Sequence, residues 1–390
     1  MQFELSPAEA QFRAKVRSWL NENKPLEPRP EDGTAMREFD LAWQRKKYEG
    51  GWAGIAWPRE YGGQGLSLVE QMIWYEECAQ ARAPLEGCLS VALNHAGPTI
   101  IAMGTAEQKA KYLPPILRGE LVWCQGFSEP GAGSDLAALR LKADIVGDSL
   151  VLNGQKIWTS HAHLATYQET LVRTGPTTPK HKGITWLVCD MRTPGIRIRP
   201  IRTMANNHHF CEVFYDNVHI PLSNVVGQID DGWRVAMSTL SFERGALSIA
   251  RAAELRHVLE DLIQLARSRP GPDGRKAAID DDEIAARLAT LRAECATLQA
   301  MNYDTVSRDV PGRAGGSETS MDFLYCAELL QRVRLLALEI LGSESLEVGG
   351  EAERWTLPYL ADRYYLIAGG SAEIRRNIIA ERVLGLPRSY

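Results

Sequence analysis

Apolar residues recur along this chain in two different periods, and the change of period divides it. Through roughly the first 120 residues the spacing is helical: Phe12, Val16, Trp19 and Leu20 share one face. The runs LVEQMIWYEECAQA (68–81) and AEQKAKYLPPIL (106–117) read as further helices. Turns such as WPREYGGQG and a Pro-rich polar connector over 23–33 separate them. From Val122 to about Ile220 the texture becomes strand-like. SLVLNGQKIWT, GITWLVCDM, GIRIRPI and CEVFYDNVHI are rich in Val, Ile, Thr and aromatics, and Gly, Asp and Pro turns lie between them. Strands so spaced predict a small antiparallel barrel or sandwich. From Gly232 the helical period returns. After Asp280, Asp281 and Asp282, apolar residues stand at Ile284, Leu288, Leu291, Cys295 and Leu298, the 4-3-4-3 seam of a helix in a bundle. The aspartates suit its N-terminus. GPDGR and VPGRAGGSE punctuate the loops between the long helices.

Composition narrows the class. A chain of 390 residues exceeds one ordinary core, so two or three domains are expected. With 45% hydrophobic and 24% charged residues it reads as a soluble globular protein, and no apolar run is long enough to cross a bilayer. The first residues carry acids early and lack both the apolar core of a secretion signal and the acid-poor character of a transit peptide. The seven cysteines (Cys78, Cys88, Cys124, Cys189, Cys211, Cys295, Cys326) are odd in number and form no CxxC. Reduced thiols in a cytoplasm are expected, with no zinc site. A net charge of −5 argues against a nucleic-acid footprint. No GxGxxG follows a strand, which argues against a Rossmann domain.

Two segments hold the candidate chemistry: CQGFSEPGAGSDL (Cys124–Leu136) and GQKIWTS (Gly154–Ser160). Gly131 and Gly133 alone would mean only a turn leaving a strand. With Trp123 before them and WTS after, they resemble the flavin-binding core of the acyl-CoA dehydrogenase family. The helix–barrel–helix order is that family's architecture, and its motifs run through nearly the whole chain. The resemblance implies a multi-domain α+β fold: an N-terminal all-α domain (1–121), a central β-barrel (122–230) and a C-terminal four-helix bundle (231–390). It also implies FAD, which carries the redox chemistry while the protein positions and tunes it. Gln125, Phe127, Ser128, Gly133, Ser134, Trp158, Thr159 and Ser160 would contact it. Trp158 would pack on the ring system, and Ser160 would lie near flavin N5.

A third segment, RYYLIAGGSAEIRRNII (Arg363–Ile379), resembles the stretch where many members carry a catalytic glutamate. Here that position is Gly369. Glycine keeps the backbone N–H, which in the family helps bond the thioester oxygen. Gly370 precedes a helix start at Ser371 and Glu373, where exposed N–H groups suit the anionic part of a flavin. The base must come from another element. In LSFERGA, Leu240, Glu243, Leu247 and Ala250 recur at 3-4-3, so Glu243 shares a face with apolar residues, which is costly without a partner or a task. Branches of the family place their base at this matching point. Leu240, Leu247, Gly369 and Gly370 would then line the substrate with Ser134, and Arg244 would lie on its CoA side. Arg267 matches a pyrophosphate-binding arginine, although its aromatic-Gly continuation is missing, and Glu339 stands where many members have Gln. These departures point to a mixed assembly. The pairs His161/His163 and His208/His209 lack carboxylate or cysteine companions at ligand spacing and read as rim histidines, not metal ligands.

The expected activity is FAD-dependent α,β-dehydrogenation of an acyl-CoA thioester to the trans-2-enoyl-CoA, with an electron-transferring flavoprotein as acceptor. Broad apolar faces such as LLQRVRLLALEIL (329–341) predict burial against other copies, and the resemblance implies a tetramer, of identical chains or with a related subunit. A non-catalytic subunit of such an assembly, or a flavin monooxygenase on the same fold, are the other readings.

Overall fold

The computed structural model describes residues 5–243, 246–307, 319–347 and 349–388, with the backbone alone for 243 and 246–248. In the first third, helices run over α1 (Pro7–Asn23), α2 (Gly33–Glu49), α3 (Leu68–Ala81), α4 (Gly97–Met103) and α5 (Ala106–Leu117). After the strands come α6 (Gly232–Glu243), α7 (Ala246–Ser268), α8 (Asp282–Ser307), α9 (Thr319–Leu341), α10 (Glu353–Ala361) and α11 (Ala372–Ile378). Between them lie β1 (Trp123–Gly126), β2 (Lys142–Val146), β3 (Ser149–Ser160), β4 (Tyr167–Arg173), β5 (Ile184–Asp190), β6 (Ile196–Ile201) and β7 (Phe210–Pro221). The helical, β and helical succession read from the sequence is the succession observed. The loop VPGRAGGSE lies outside the described residues.

The chain forms two compact units that cut across its order: residues 23–67 with 84–243, and residues 1–22 with 68–83 and 244–390. In the first, the strands make one curled sheet in the order β1-β4-β2-β3-β7-β6, with β5 also paired to β4. Most pairings are antiparallel, but β4 runs parallel to both β1 and β2, which corrects the all-antiparallel expectation. The chain makes an excursion through the β2–β3 hairpin before returning beside β1 in the same direction. β4 is itself hidden from a hydrophobicity reading, because Gln168, Glu169 and Thr170 are fully buried in it. Tyr112, Leu113, Trp123 and Trp186 centre the core that joins α4, α5 and α6 to this sheet.

In the second unit, the α8 seam is buried as its spacing predicts, at Ile284, Leu288, Leu291, Cys295 and Leu298. Asp281 caps it by accepting from the N–H groups of Glu283 and Ile284, each at 3.1 Å. Leu255, Leu259 and Leu262 of α7 and Leu329, Val333 and Leu336 of α9 complete that core. α1 and α3 join these C-terminal helices through charge. Arg17 holds Glu77 with two bonds of 2.8 Å, and Arg13 pairs with Glu76. Tyr303 of α8 donates to Glu76 at 2.8 Å.

Candidate active site

The wall of the site is built where β1 ends. Glu129 and Ala132 exchange backbone hydrogen bonds of 3.0 Å, closing a two-residue turn over Pro130-Gly131. A buried ion pair fixes this turn to β3: Lys156 Nζ donates to Glu129 Oε1 at 2.8 Å and to the Phe127 carbonyl at 3.0 Å. Glu129 also accepts from the backbone N–H groups of Arg140 (2.6 Å) and Leu141 (2.8 Å), and Ile157 N–H donates to the Ser128 carbonyl at 3.0 Å. Lys156 is 0% exposed. Its burial lowers the ammonium pKa to about 8 despite the opposing pull of Glu129. The sequence reading did not single out this pair. The cue lay in the Glu of SEP and the Lys of GQK, each ordinary alone.

Directly after Lys156 the register of β3 against β7 shifts, and the bulge sets Trp158 in the left-handed region at φ 60°. Trp158 is 58% exposed, touching Phe210 edge-on with ring centroids 6.0 Å apart. A non-glycine residue in that conformation costs about 1–3 kcal/mol, and an exposed indole recovers little of it from packing. Phe127 is buried, Ser128 and Ser160 are half-buried, and Gly133 and Ser134 are exposed. A Cβ on Gly131 or Gly133 would meet nothing within 4 Å, and neither has positive φ, so the fold itself does not require glycine there. Thr159 is fully buried, and its hydroxyl has no partner among the described residues.

Deeper in the same unit, the parallel register sets Gln125 opposite Glu169. Gln125 Nε2 donates to Glu169 Oε1 at 2.8 Å and lies 3.1 Å from His95 Nδ1. Thr99 and Thr239, both fully buried, join α4 to α6 through their hydroxyls at 2.8 Å. Leu240 packs half-buried against the core one residue on. The backbone of α6 ends at Glu243. The side chains of Glu243 and Leu247, and Arg244 altogether, lie outside the described residues.

The histidines cluster beside the end of β3. His208 donates its backbone N–H to Asp32 at 2.8 Å, His163 Nε2 lies 3.8 Å from the same carboxylate, and the rings of His161 and His209 meet at 4.3 Å. Asp32, the N-cap of α2, is thus a carboxylate companion that spacing did not reveal. Burial, with Arg29 nearby, holds His209 down to about 4, and burial holds His161 well below its usual value. Between about pH 6.5 and 4 the unfolded chain therefore binds protons that the folded chain does not. Thermal stability is expected to fall as pH drops through that window. His209→Gln should flatten the slope; an unchanged slope in thermal melts across these pH values would refute the assignment.

In the other unit, Gly369 (φ 65°) and Gly370 (φ 108°) form the turn before α11 in backbone conformations that favour glycine. Arg375 is spent on the carbonyls of this turn, donating to Gly369 O at 2.8 Å and Gly370 O at 2.9 Å, while stacking on Phe323. Among the described residues, the N–H groups of Gly369 and Gly370 have no backbone partner. Ser371 caps α11 through Ile374 N–H at 3.4 Å, and the Glu373 carboxyl, fully exposed, is held below its usual range by backbone and Ser371 hydrogen bonds. Arg267 is exposed in the last turn of α7. Glu339 is paired with Arg287 at 2.5 Å, which offsets its charge.

Family models for the N-terminal, middle and C-terminal domains of acyl-CoA dehydrogenases match residues 6–120, 124–218 and 230–384. The chain belongs to the acyl-CoA dehydrogenase family. Acyl-CoA dehydrogenase IpdE1 of Mycobacterium tuberculosis is 38% identical over 391 residues, covering 97% of this chain and 98% of that protein. Among solved structures, the dehydrogenase fold of the Tcur3481-Tcur3483 steroid ACAD matches with a TM-score of 0.86 at 30% identity, covering 100% of both chains. The ChsE4-ChsE5 complex from Mycobacterium tuberculosis matches with 0.85 at 33%, also covering 100% of both. Members are flavoprotein oxidoreductases, and FAD is the cofactor. The residues present fit it: an exposed indole in strained backbone, and glycines whose backbone a flat ring can approach. No helix among the described residues is long and apolar enough to cross a membrane.

One consequence separates cofactor binding from folding. Trp158→Gly removes a half-exposed ring and relaxes the positive φ, so the stability of the flavin-free dehydrogenase is expected to stay level or rise. The FAD dissociation constant should rise at least about tenfold, from the lost stacking. Thermal melts and flavin titration check this; undiminished FAD affinity would remove Trp158 from the site.

Proposed function

We propose that this dehydrogenase oxidises the Cα–Cβ bond of an acyl-CoA thioester to a trans-2-enoyl-CoA. In this reading the Glu243 carboxylate takes the α-proton, and the electron pair of that C–H bond becomes the new C=C bond. FAD, when bound, supplies the acceptor for the hydride that leaves the β-carbon. The Gly369 N–H donates to the thioester oxygen and stabilises the charge that grows there as the α-proton leaves. The observation that carries this reading is the Gly369–Gly370 turn. Arg375 occupies its carbonyls, and its N–H groups are uncommitted to backbone acceptors among the described residues. Trp158, Phe127, Ser128, Ser134 and Ser160 would hold the flavin, with Ser371 and Arg267 toward its phosphates. Leu240, Leu247 and Gly370 would line the acyl group, with Arg244 on the CoA side.

Two glycines in succession leave room for bulk, and one of the similar structures is titled a steroid ACAD. The acyl group proposed is therefore bulky and polycyclic. Two similar structures are named for paired components, Tcur3481-Tcur3483 and ChsE4-ChsE5, which supports a tetramer containing a related subunit. An electron-transferring flavoprotein would reoxidise it.

The test is flavin stoichiometry with light scattering on the isolated assembly, then anaerobic titration with straight, branched and steroid-derived acyl-CoA thioesters. Bleaching of the flavin without NADH, strongest with a steroid-derived thioester, is expected. A flavin-loaded assembly that no thioester bleaches would overturn the catalytic reading in favour of an auxiliary subunit, and a requirement for NADH and oxygen would favour a monooxygenase. A flavin-loaded monomer would overturn the assembly.

A further inference from the structure

The side chain of Gln125 is held by groups that the sequence keeps far apart. On one side is Glu169 of β4, its partner in the parallel register and 0% exposed. On the other is His95, which lies in the π-turn Ala92–Ala96 before α4. An amide end can be turned two ways, and a carboxylate decides between them. Ionised, it accepts only, so Gln125 must face Glu169 with its NH2 group, and the observed 2.8 Å bond has that sense. The second N–H then points to His95 Nδ1 at 3.1 Å, an arrangement that requires the neutral tautomer protonated on Nε2; the same Nδ1 lies 3.5 Å from Glu169 Oε1, so the three side chains form one cluster. Both amide hydrogens are thereby used inward. The carbonyl Oε1 has no hydrogen-bond donor among the described residues, and Gln125 keeps partial exposure two residues before Phe127. Neighbouring packing fixes the strand itself: Thr170 Oγ1 donates to the Gly126 carbonyl at 2.7 Å, and a Cβ on Gly126 would meet the Gln168 side chain at 2.6 Å.

We infer that Glu169 is a positioning residue, which with His95 locks the Gln125 amide so that it offers the flavin an acceptor and never a donor. This rests on the reading of Gln125 as a flavin contact. The chemical consequence is selective. The rim of an oxidised isoalloxazine carries several acceptors but one N–H, on its pyrimidine half, so a fixed acceptor can match that N–H alone. An amide free to turn would meet the other edge atoms with its NH2 group. It would then shift both the affinity for the flavin and the electron density of the ring.

Two variants of the flavin-loaded protein, in the assembly in which it is isolated, test the inference. In Glu169→Gln the neighbour can donate or accept, so the lock is lost. The FAD dissociation constant should rise about tenfold, with shifted absorption bands and a changed flavin reduction potential. The transposed pair Gln125→Glu/Glu169→Gln puts the acid where the amide was. The amide now on β4 then donates to the carboxylate now on β1, whose second oxygen faces outward, again an acceptor, and net charge and volume are retained. The swap should bring affinity and absorption bands back toward wild type. A swap as impaired as the single variant would overturn the inference, as would native spectrum, potential and affinity in Glu169→Gln. Should Glu169→Gln fail to fold, the swap decides alone. Failure of the functional reading is distinct: wild-type protein would then hold flavin that no acyl-CoA thioester reduces.

Discussion

Glu243→Gln is expected to lower turnover of an acyl-CoA thioester about a hundred- to ten-thousandfold while leaving the protein yellow. An amide is close to a carboxylate in size and polarity, so packing around the end of α6 should be little disturbed. It cannot accept a proton, and the proposed mechanism assigns no other base to the α-proton. Thr239, one turn before Glu243, is tied to Thr99 by buried hydroxyls 2.8 Å apart, and Leu240 packs into the core. α6, which carries the proposed base, is therefore anchored independently of it, and the loss should fall on turnover while the KM changes little. Stopped-flow reduction of the flavin is the direct measurement. Reduction at close to the wild-type rate would remove Glu243 from the mechanism.

The second large effect concerns the ion pair behind the flavin wall. Lys156→Met is expected to destabilise the protein by about 3–5 kcal/mol, the range for breaking a buried pair by removing one partner. Glu129 would stay buried with the Arg140 and Leu141 N–H groups and the nearby Arg173 charge, but no ion-pair partner in contact, and the Phe127 carbonyl would lose its donor. The turn that presents Phe127 and Ser128 would loosen, so FAD should be lost along with stability. Glu129→Gln in the Lys156→Met background should recover part of the loss, because a neutral amide is cheaper to bury than an unpaired carboxylate. Thermal melts of the single and double variants, with and without added FAD, check both points. A Lys156→Met protein that melts like wild type and keeps its flavin would show that the pair does not hold the turn.

Parts of this molecule can be read residue by residue. The α8 seam followed from its 4-3-4-3 spacing, and Asp281 stands as its cap among the aspartates that marked the helix start. The long strands β3 and β7 followed from their β-branched and aromatic content, and the family resemblance from SEPGAGSD and KIWTS. β4 could not be found that way. Its buried Gln168, Glu169 and Thr170 look like a solvated stretch until Tyr215 and Gln125 are seen to donate to the first two and the Gly126 carbonyl to accept from the third. Asp32 was equally silent. It reads as part of a polar connector, yet it caps α2 and gathers His163 and His208.

The sequence by itself determined most of the helical and strand segments, and the family and its cofactor. Those are properties of neighbours in the chain, because a period or a motif needs only the few residues that carry it. The tertiary structure alone decided that β1 and β4 run parallel, that α1 and α3 belong with the C-terminal helices, and that Lys156 answers Glu129. It also decided which way Gln125 faces. A buried polar group must find a partner wherever the fold brings one within about 3 Å, and here those partners come from residues tens of positions away.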